Sequence, residues 1–416
     1  MTTRIGFTLL GLAGTSLVAL SSSASAASTE YQDIEHGRYL SVVGDCAACH
    51  TESDAQPLAG GVSLETPFGT LMAPNITPDA KTGLGDWTFD DFKAAMTEGI
   101  GKGGYHLYPA MPYPTYTLMR DEDLRDLWAY LQTVDPVDHE VDANQLPFPF
   151  NIRLAMMGWN WLNFEDTDFA PDPDQPDDIN RGAYLVEGLG HCGTCHTPRN
   201  FMGGEGGDKF SGAVIDNWYA PDITPDAHKG IGGWSEDELV EYLKTGGNRY
   251  DFASGPMADE VRHSSQYWTD EDLHAVARYL QSGAGLADDW QAEAAPAALD
   301  AENAQVSAGS AIYFDRCAGC HTPDGSGETG MFPQLAGSPV VNGDDPTSLI
   351  RVVLAGSRAV ATDAKPTAPA MPALGWNLSD DDVANVLTFV RNSWGNAADA
   401  VSAEEVAELR ATLQDE

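Results

Sequence analysis

The six cysteines of this chain fall into three copies of one pattern: Cys46-Ala47-Ala48-Cys49-His50, Cys192-Gly193-Thr194-Cys195-His196 and Cys317-Ala318-Gly319-Cys320-His321. Two thiols three residues apart can add to the two vinyl groups of one haem, and the histidine that follows then reaches the iron from the proximal side. No cysteine is left over. Disulfide pairing would leave this spacing unexplained. A zinc site would need two more ligands at zinc-site spacing, and a thioredoxin-like motif would stand once, on a βαβ pattern, without the histidine. The pattern predicts three covalently bound haem c groups on Cys46 and Cys49, Cys192 and Cys195, and Cys317 and Cys320, with His50, His196 and His321 on the irons.

An electron-carrying haem needs a sixth ligand, and a thioether is the usual choice because it raises the potential. Met111 lies 61 residues after His50, Met257 lies 61 after His196, and Met371 lies 50 after His321. All three adjoin proline and are expected on loops just ahead of the last helix of each unit. Met72, Met96 and Met119 align with Tyr219, Leu243 and Trp268, none of which replaces a thioether, so they read as core fillers. Met156, Met157, Met202 and Met331 have no counterpart in the other units. His106 is a competing ligand near Met111, and the repeat spacing favours an ordinary loop histidine there.

The elements that must position these residues are repeated too. Gly37-Arg38-Tyr39-Leu40 before the first motif recurs as Gly182-Ala183-Tyr184-Leu185 before the second, and the third unit keeps Gly309, Tyr313 and Phe314. Pro74-Asn75-Ile76-Thr77-Pro78-Asp79 matches Pro221-Asp222-Ile223-Thr224-Pro225-Asp226, and Trp87 matches Trp234. Phe89, Phe92 and Met96, and Leu239, Tyr242 and Leu243, have helical spacing. Each unit ends in a helix whose first turn is acidic, at Asp121, Asp270 and Asp380, complementing the helix dipole. Thr269 and Ser379 are predicted N-caps with an acid three residues on, as in a capping box, and Arg120 departs from that pattern. Met119, Trp268 and Leu378 precede the caps, and with Leu124, Leu273 and Val383 they have the makings of hydrophobic staples.

Length and charge bound the rest. The chain has 416 residues, enough for two or three domains, and carries 63 Asp and Glu against 22 Lys and Arg, a net charge of −41. Such a surface repels phosphate backbones and anionic lipid headgroups, which argues against nucleic-acid partners and against polybasic membrane binding. Residues 1–26 hold Arg4, an apolar run and the ending Ala24-Ser25-Ala26, the pattern of a secretory signal peptide, so the mature chain is expected in the periplasm.

The three motifs, the Ile-Thr-Pro-Asp segments and the aromatic connector resemble the tri-haem cytochrome c subunit of bacterial membrane-associated dehydrogenases, over nearly all of the mature chain. The resemblance implies an all-α fold of three tandem class I cytochrome c domains with His/Met ligation, as His50/Met111, His196/Met257 and His321/Met371. It also implies a catalytic dehydrogenase subunit of quinoprotein, flavoprotein or molybdenum type as partner, and a quinone, cytochrome or oxidase as acceptor. The expected division is 1–26 signal peptide, 27–135 domain 1, 136–178 linker, 179–286 domain 2, 287–303 linker, 304–397 domain 3 and 398–416 acidic tail.

The first linker runs from Leu146-Pro147-Phe148-Pro149-Phe150 through Trp159, Trp161 and Phe164. It reads equally as a docking face and as a staple between domains. The Pro/Asp run after it reads as a stiff, solvated spacer. Gly99, Gly101 and Gly104 satisfy GxGxxG but follow a predicted helix, which excludes a dinucleotide site. The tail places Val406, Leu409 and Leu413 on one face but is acidic, a poor membrane anchor that leaves peripheral membrane association open. The reading is an electron relay without catalytic residues of its own. The alternatives are a peroxidase or thiosulfate-oxidising type of multihaem enzyme, and a soluble shuttle.

Overall fold

The computed structural model describes residues 1, 2 and 17–415, and the leader expected over 1–26 falls largely outside the described residues. Each unit is built on two crossing helices. Leu17–Val43 packs on Asp121–Leu131, Asp177–Ala183 and its continuation Tyr184–Leu189 pack on Asp270–Ser282, and Ala304–Arg316 packs on Asp380–Val390. The backbones meet at the recurring glycines. A Cβ at Gly37, Gly182 or Gly309 would stand 1.8, 2.1 or 2.0 Å from the backbone oxygen of Asp126, Ala275 or Asn385. No side chain fits in that space, which is the physical reason the glycine recurs in all three units.

Local capping chemistry sets the helix starts. Ser379 accepts from the Asp382 N–H while the Asp382 carboxylate accepts from the Ser379 N–H, a complete capping box, and Thr88 with Asp91 and Ser235 with Glu238 form two more. The box expected at Thr269 is only half made. Thr269 accepts from the Asp272 N–H at 3.2 Å, but the Asp272 carboxylate turns away to other donors. Met119, Trp268 and Leu378 are buried, and Leu124, Leu273 and Val383 are completely so.

The units are helix-rich, with a few short strands beside the helices. Among the described residues four two-stranded antiparallel hairpins supplement the helices. Ser63–Thr66 pairs with Gly69–Met72 in the first unit and Ala213–Ile215 with Trp218–Ala220 in the second; Ile100–Gly101 pairs with Tyr105–His106, and Ser357–Arg358 with Ala370–Met371. The second of these turns on Asp216 and Asn217, both left-handed at φ 51° and 57°, the geometry whose twist matches that of paired strands. Gly99 ends the helix Phe89–Glu98 at φ 66°, and the rest of the GxGxxG run belongs to a hairpin.

Units 1 and 2 share one core, in which Leu40, Val43 and Leu127 meet Leu185, Leu189 and Val276. Unit 3 closes around Tyr313, Ile350, Val383 and Leu387. The C-terminal helix Ala403–Asp415 packs back on that core through Val406, Leu409 and Leu413. Arg410 secures it with a 2.7 Å contact to Asp380.

Candidate haem sites

The three histidines are held in the same way. Nδ1 of His50 donates to the Pro74 carbonyl at 2.7 Å, Nδ1 of His196 to the Pro221 carbonyl at 2.7 Å, and Nδ1 of His321 to the Pro333 carbonyl at 3.0 Å. A carbonyl only accepts, so the proton sits on Nδ1 and Nε2 keeps its lone pair for a metal. Burial lowers the pKa of all three rings, which keeps them neutral and able to ligate. Pro74 and Pro221 open the repeated Ile-Thr-Pro-Asp segments, whose role the sequence left unassigned. Pro333 stands in a different context, Phe332-Pro333-Gln334, and only a proline in the loop after the motif would have pointed to it.

All six cysteines are free thiols, standing in for the thioether sulfurs of a loaded site. Burial pushes the Cys46 and Cys192 thiols up to about 12 and the Cys49 and Cys317 thiols to about 11. Reactive redox cysteines have the opposite shift. The residue ahead of the first cysteine is left-handed in units 1 and 2, Asp45 at φ 50° and His191 at φ 38°, whereas in unit 3 Arg316 simply ends a helix.

The three methionines occupy three kinds of local structure, not the common loop expected. Met111 lies in a bend whose carbonyl accepts from the Tyr113 N–H at 2.7 Å. Met257 is the second residue of helix Pro256–His263, because Pro256 presets the first helical turn. Met371 lies in a two-residue strand opposite Ser357. Met111 packs against the shared core, Met371 against the core of unit 3, and Met257 against a small cluster that includes Val360 of unit 3. His106 sits in the hairpin five residues before Met111, with a buried Nδ1 that has no hydrogen-bond partner.

The units dock closely. Tyr116 Oη donates to the Gly44 carbonyl at 3.2 Å, its ring lies 5.8 Å from the His191 ring, and Ser264 donates to the Val43 carbonyl at 3.3 Å. Unit 2 touches unit 3 on another side. There the Tyr219 N–H donates to Ser348 Oγ at 2.7 Å, Ser254 and Ser357 share a 2.7 Å hydrogen bond, and the Val360 N–H donates to the Ala253 carbonyl at 3.2 Å. The middle unit thus contacts both neighbours.

The donor chemistry fits haem c. Among the described residues no three His, Cys, Asp or Glu side chains converge as a metal cage, and each proximal histidine instead presents one free nitrogen beside two thiols. In unit 2 the buried Trp234 Nε1–H has no protein acceptor, while its ring stacks on Tyr250 at 5.4 Å. An anionic edge of a bound group would satisfy that donor.

A fold of helix pairs, each closing over a CxxCH turn with a carbonyl-anchored histidine, defines a c-type cytochrome built from three units. The cytochrome c family model matches residues 34–135, 179–284 and 306–394, and the chain belongs to that family, with three haem c groups. It is 42% identical over 396 residues to the gluconate 2-dehydrogenase cytochrome c subunit of Pantoea cypripedii, covering 91% of this chain and 89% of that one. It is 41% identical over 396 residues to the alcohol dehydrogenase (quinone) cytochrome c subunit of Gluconobacter oxydans (strain 621H), covering 91% and 82%. It is 38% identical over 427 residues to the fructose dehydrogenase cytochrome subunit of Gluconobacter japonicus, covering 97% and 88%.

Proposed function

We propose that this chain is the electron-transfer subunit of a periplasmic dehydrogenase complex. It relays electrons from a catalytic subunit that oxidises an alcohol, aldehyde, gluconate or sugar to a respiratory acceptor, a quinone or another cytochrome or oxidase, at the outer face of the cytoplasmic membrane. The observation that carries this reading is the packing of three like haem sites into one body, with unit 2 against both neighbours. The similarity to dehydrogenase cytochrome subunits over 91% or more of the chain supports it.

Each bound haem supplies a one-electron couple whose potential follows its axial ligands. The protein's part is geometric and electrostatic. Pro74, Pro221 and Pro333 fix the tautomer and direction of the three imidazoles. Met111, Met257 and Met371 are the proposed sixth ligands, each packed against a hydrophobic cluster. The shared core of units 1 and 2 and the serine contacts to unit 3 hold the sites at fixed separations.

A native pull-down with a haem-reduction assay across alcohols, aldehydes, gluconate and sugars tests the reading. The expected result is a large flavin-, quinone- or molybdenum-containing partner and one substrate that reduces all three haems. A chain that emerges alone and reacts with peroxide or thiosulfate instead would overturn it.

A further inference from the structure

We propose that the connector between units 1 and 2 is the face with which this chain lies on a lipid bilayer. The inference deepens the membrane-side reading above and rests on it. The connector has two faces. Trp159 is buried, its Nε1–H donates to the Met202 carbonyl at 2.9 Å, and Asn160 accepts from Tyr113 Oη at 2.5 Å, so the inner face staples the units together. On the outer face Phe148, Leu154, Met157, Trp161 and Leu162 are exposed, Trp161 at 84%. Asn200 of the adjoining unit 2 loop donates to Asn163 at 2.8 Å, and its neighbour Phe201 stands 92% exposed beside the same helix, Met156–Asn163.

Charge selects the occupant. The chain carries 63 acids, yet residues 146–164 contain none, and neither do residues 198–204. The charges in these two segments are Arg153, whose guanidinium lies 4.8 Å over the Tyr108 ring, and exposed Arg199. An anionic bilayer repels the acidic surface but not this face, and arginines match headgroup phosphates. Tryptophan and phenylalanine are the side chains that favour the boundary between headgroups and acyl chains. The other amphipathic candidate is already used, because the apolar face of Ala403–Asp415 packs against unit 3, with Val406 buried and Leu409 and Leu413 partly so. Among the described residues no helix is long and apolar enough to cross a membrane, so the contact is one of lying on the surface.

Flotation of the haem-loaded full chain with vesicles of phosphatidylethanolamine and phosphatidylglycerol, traced by haem absorbance, tests this. The wild type is expected to float. A Leu154→Ser/Trp161→Ser/Phe201→Ser variant with unchanged haem content is expected to bind about tenfold or more weakly. Phe314→Ser/Trp376→Ser, which removes exposed apolar residues of unit 3, should float as the wild type does. If the triple variant loses haem, Trp161→Ser alone carries the test, with an expected loss of about threefold. A wild type that stays behind, or a triple variant that floats equally well, overturns the proposal. So does a triple variant whose defect is only in reduction by the catalytic subunit, which would assign the face to that protein. Failure of the relay reading registers separately, as haems that no catalytic subunit reduces in vesicle-free solution.

Discussion

Tyr39 of the first unit donates a 2.6 Å hydrogen bond to the Asp272 carboxylate of the second, and its repeat equivalent Tyr184 donates to Asp123 of the first. Each phenol oxygen also accepts from the backbone N–H at the start of the same helix, Thr269 at 3.2 Å and Arg120 at 3.1 Å. The two contacts are reciprocal, so the first two units embrace as a pseudo-symmetric pair. This explains why the Thr269 box is half made and why Arg120 is tolerated without a capping side chain. The tyrosine of the neighbouring unit does the capping.

The two tyrosines differ in what they leave behind. Without Tyr39, Asp272 still has Arg181 at 2.7 and 2.9 Å, whereas without Tyr184 the buried Asp123 keeps no hydrogen-bonded side-chain donor among the described residues, only the 3.9 Å ion pair with His36 and the more distant charge of Arg181. Tyr39→Phe is therefore expected to cost about 1 kcal/mol and Tyr184→Phe about 2–3 kcal/mol. Thermal unfolding of both variants, followed at the haem bands, checks the order; equal costs would contradict the account.

Acid should loosen this contact. Burial by itself raises the Asp272 pKa, but the bonds from Arg181 and Tyr39 outweigh it and hold the carboxyl below its ordinary value of 3.8. A depressed carboxyl adds stability above the unfolded value, and that contribution disappears as pH falls through the folded one. The unfolding midpoint is thus expected to drop below pH 3.8, and less steeply in Arg181→Met, in a series of melts across acid pH.

Met257→Ala should leave haem attachment intact, since Cys192, Cys195 and His196 are untouched, and alanine suits the helix at that position. One haem potential is expected to fall by at least about 0.1 V, with loss of the sulfur-to-iron charge-transfer band for that haem. Met331→Ala, at an exposed site, should change neither. A redox titration with three resolvable steps decides, and an unchanged profile would remove Met257 as a ligand.

Gly309→Ala places a methyl group 2.0 Å from the Asn385 oxygen, where helices Ala304–Arg316 and Asp380–Val390 cross. The crossing must open, at an expected cost of about 1–3 kcal/mol or more. Unit 3 has its own core, so the loss should be confined to one haem. Haem quantification and stepwise denaturant unfolding would reveal it.

What depends on local chemistry is legible along the chain. Thiol and imidazole spacing specified three haem attachments, short-range capping specified helix starts such as Ser379, and repetition singled out Gly37, Gly182 and Gly309 as equivalent. Residues whose partners are distant in sequence take their uses from the folded arrangement. Asp382 closes its own capping box, while Asp123 and Asp272, at the same helix position, accept from tyrosines of the neighbouring unit, Asp272 from Arg181 of its own unit as well, because a carboxylate goes to the strongest donors within reach. The histidine acceptor Pro333, the two faces of the aromatic connector and the packed apolar stripe of Ala403–Asp415 are likewise matters of where chain segments meet. Composition and periodicity record that a side chain is apolar or charged; burial and pairing are properties of the surface that arrives beside it.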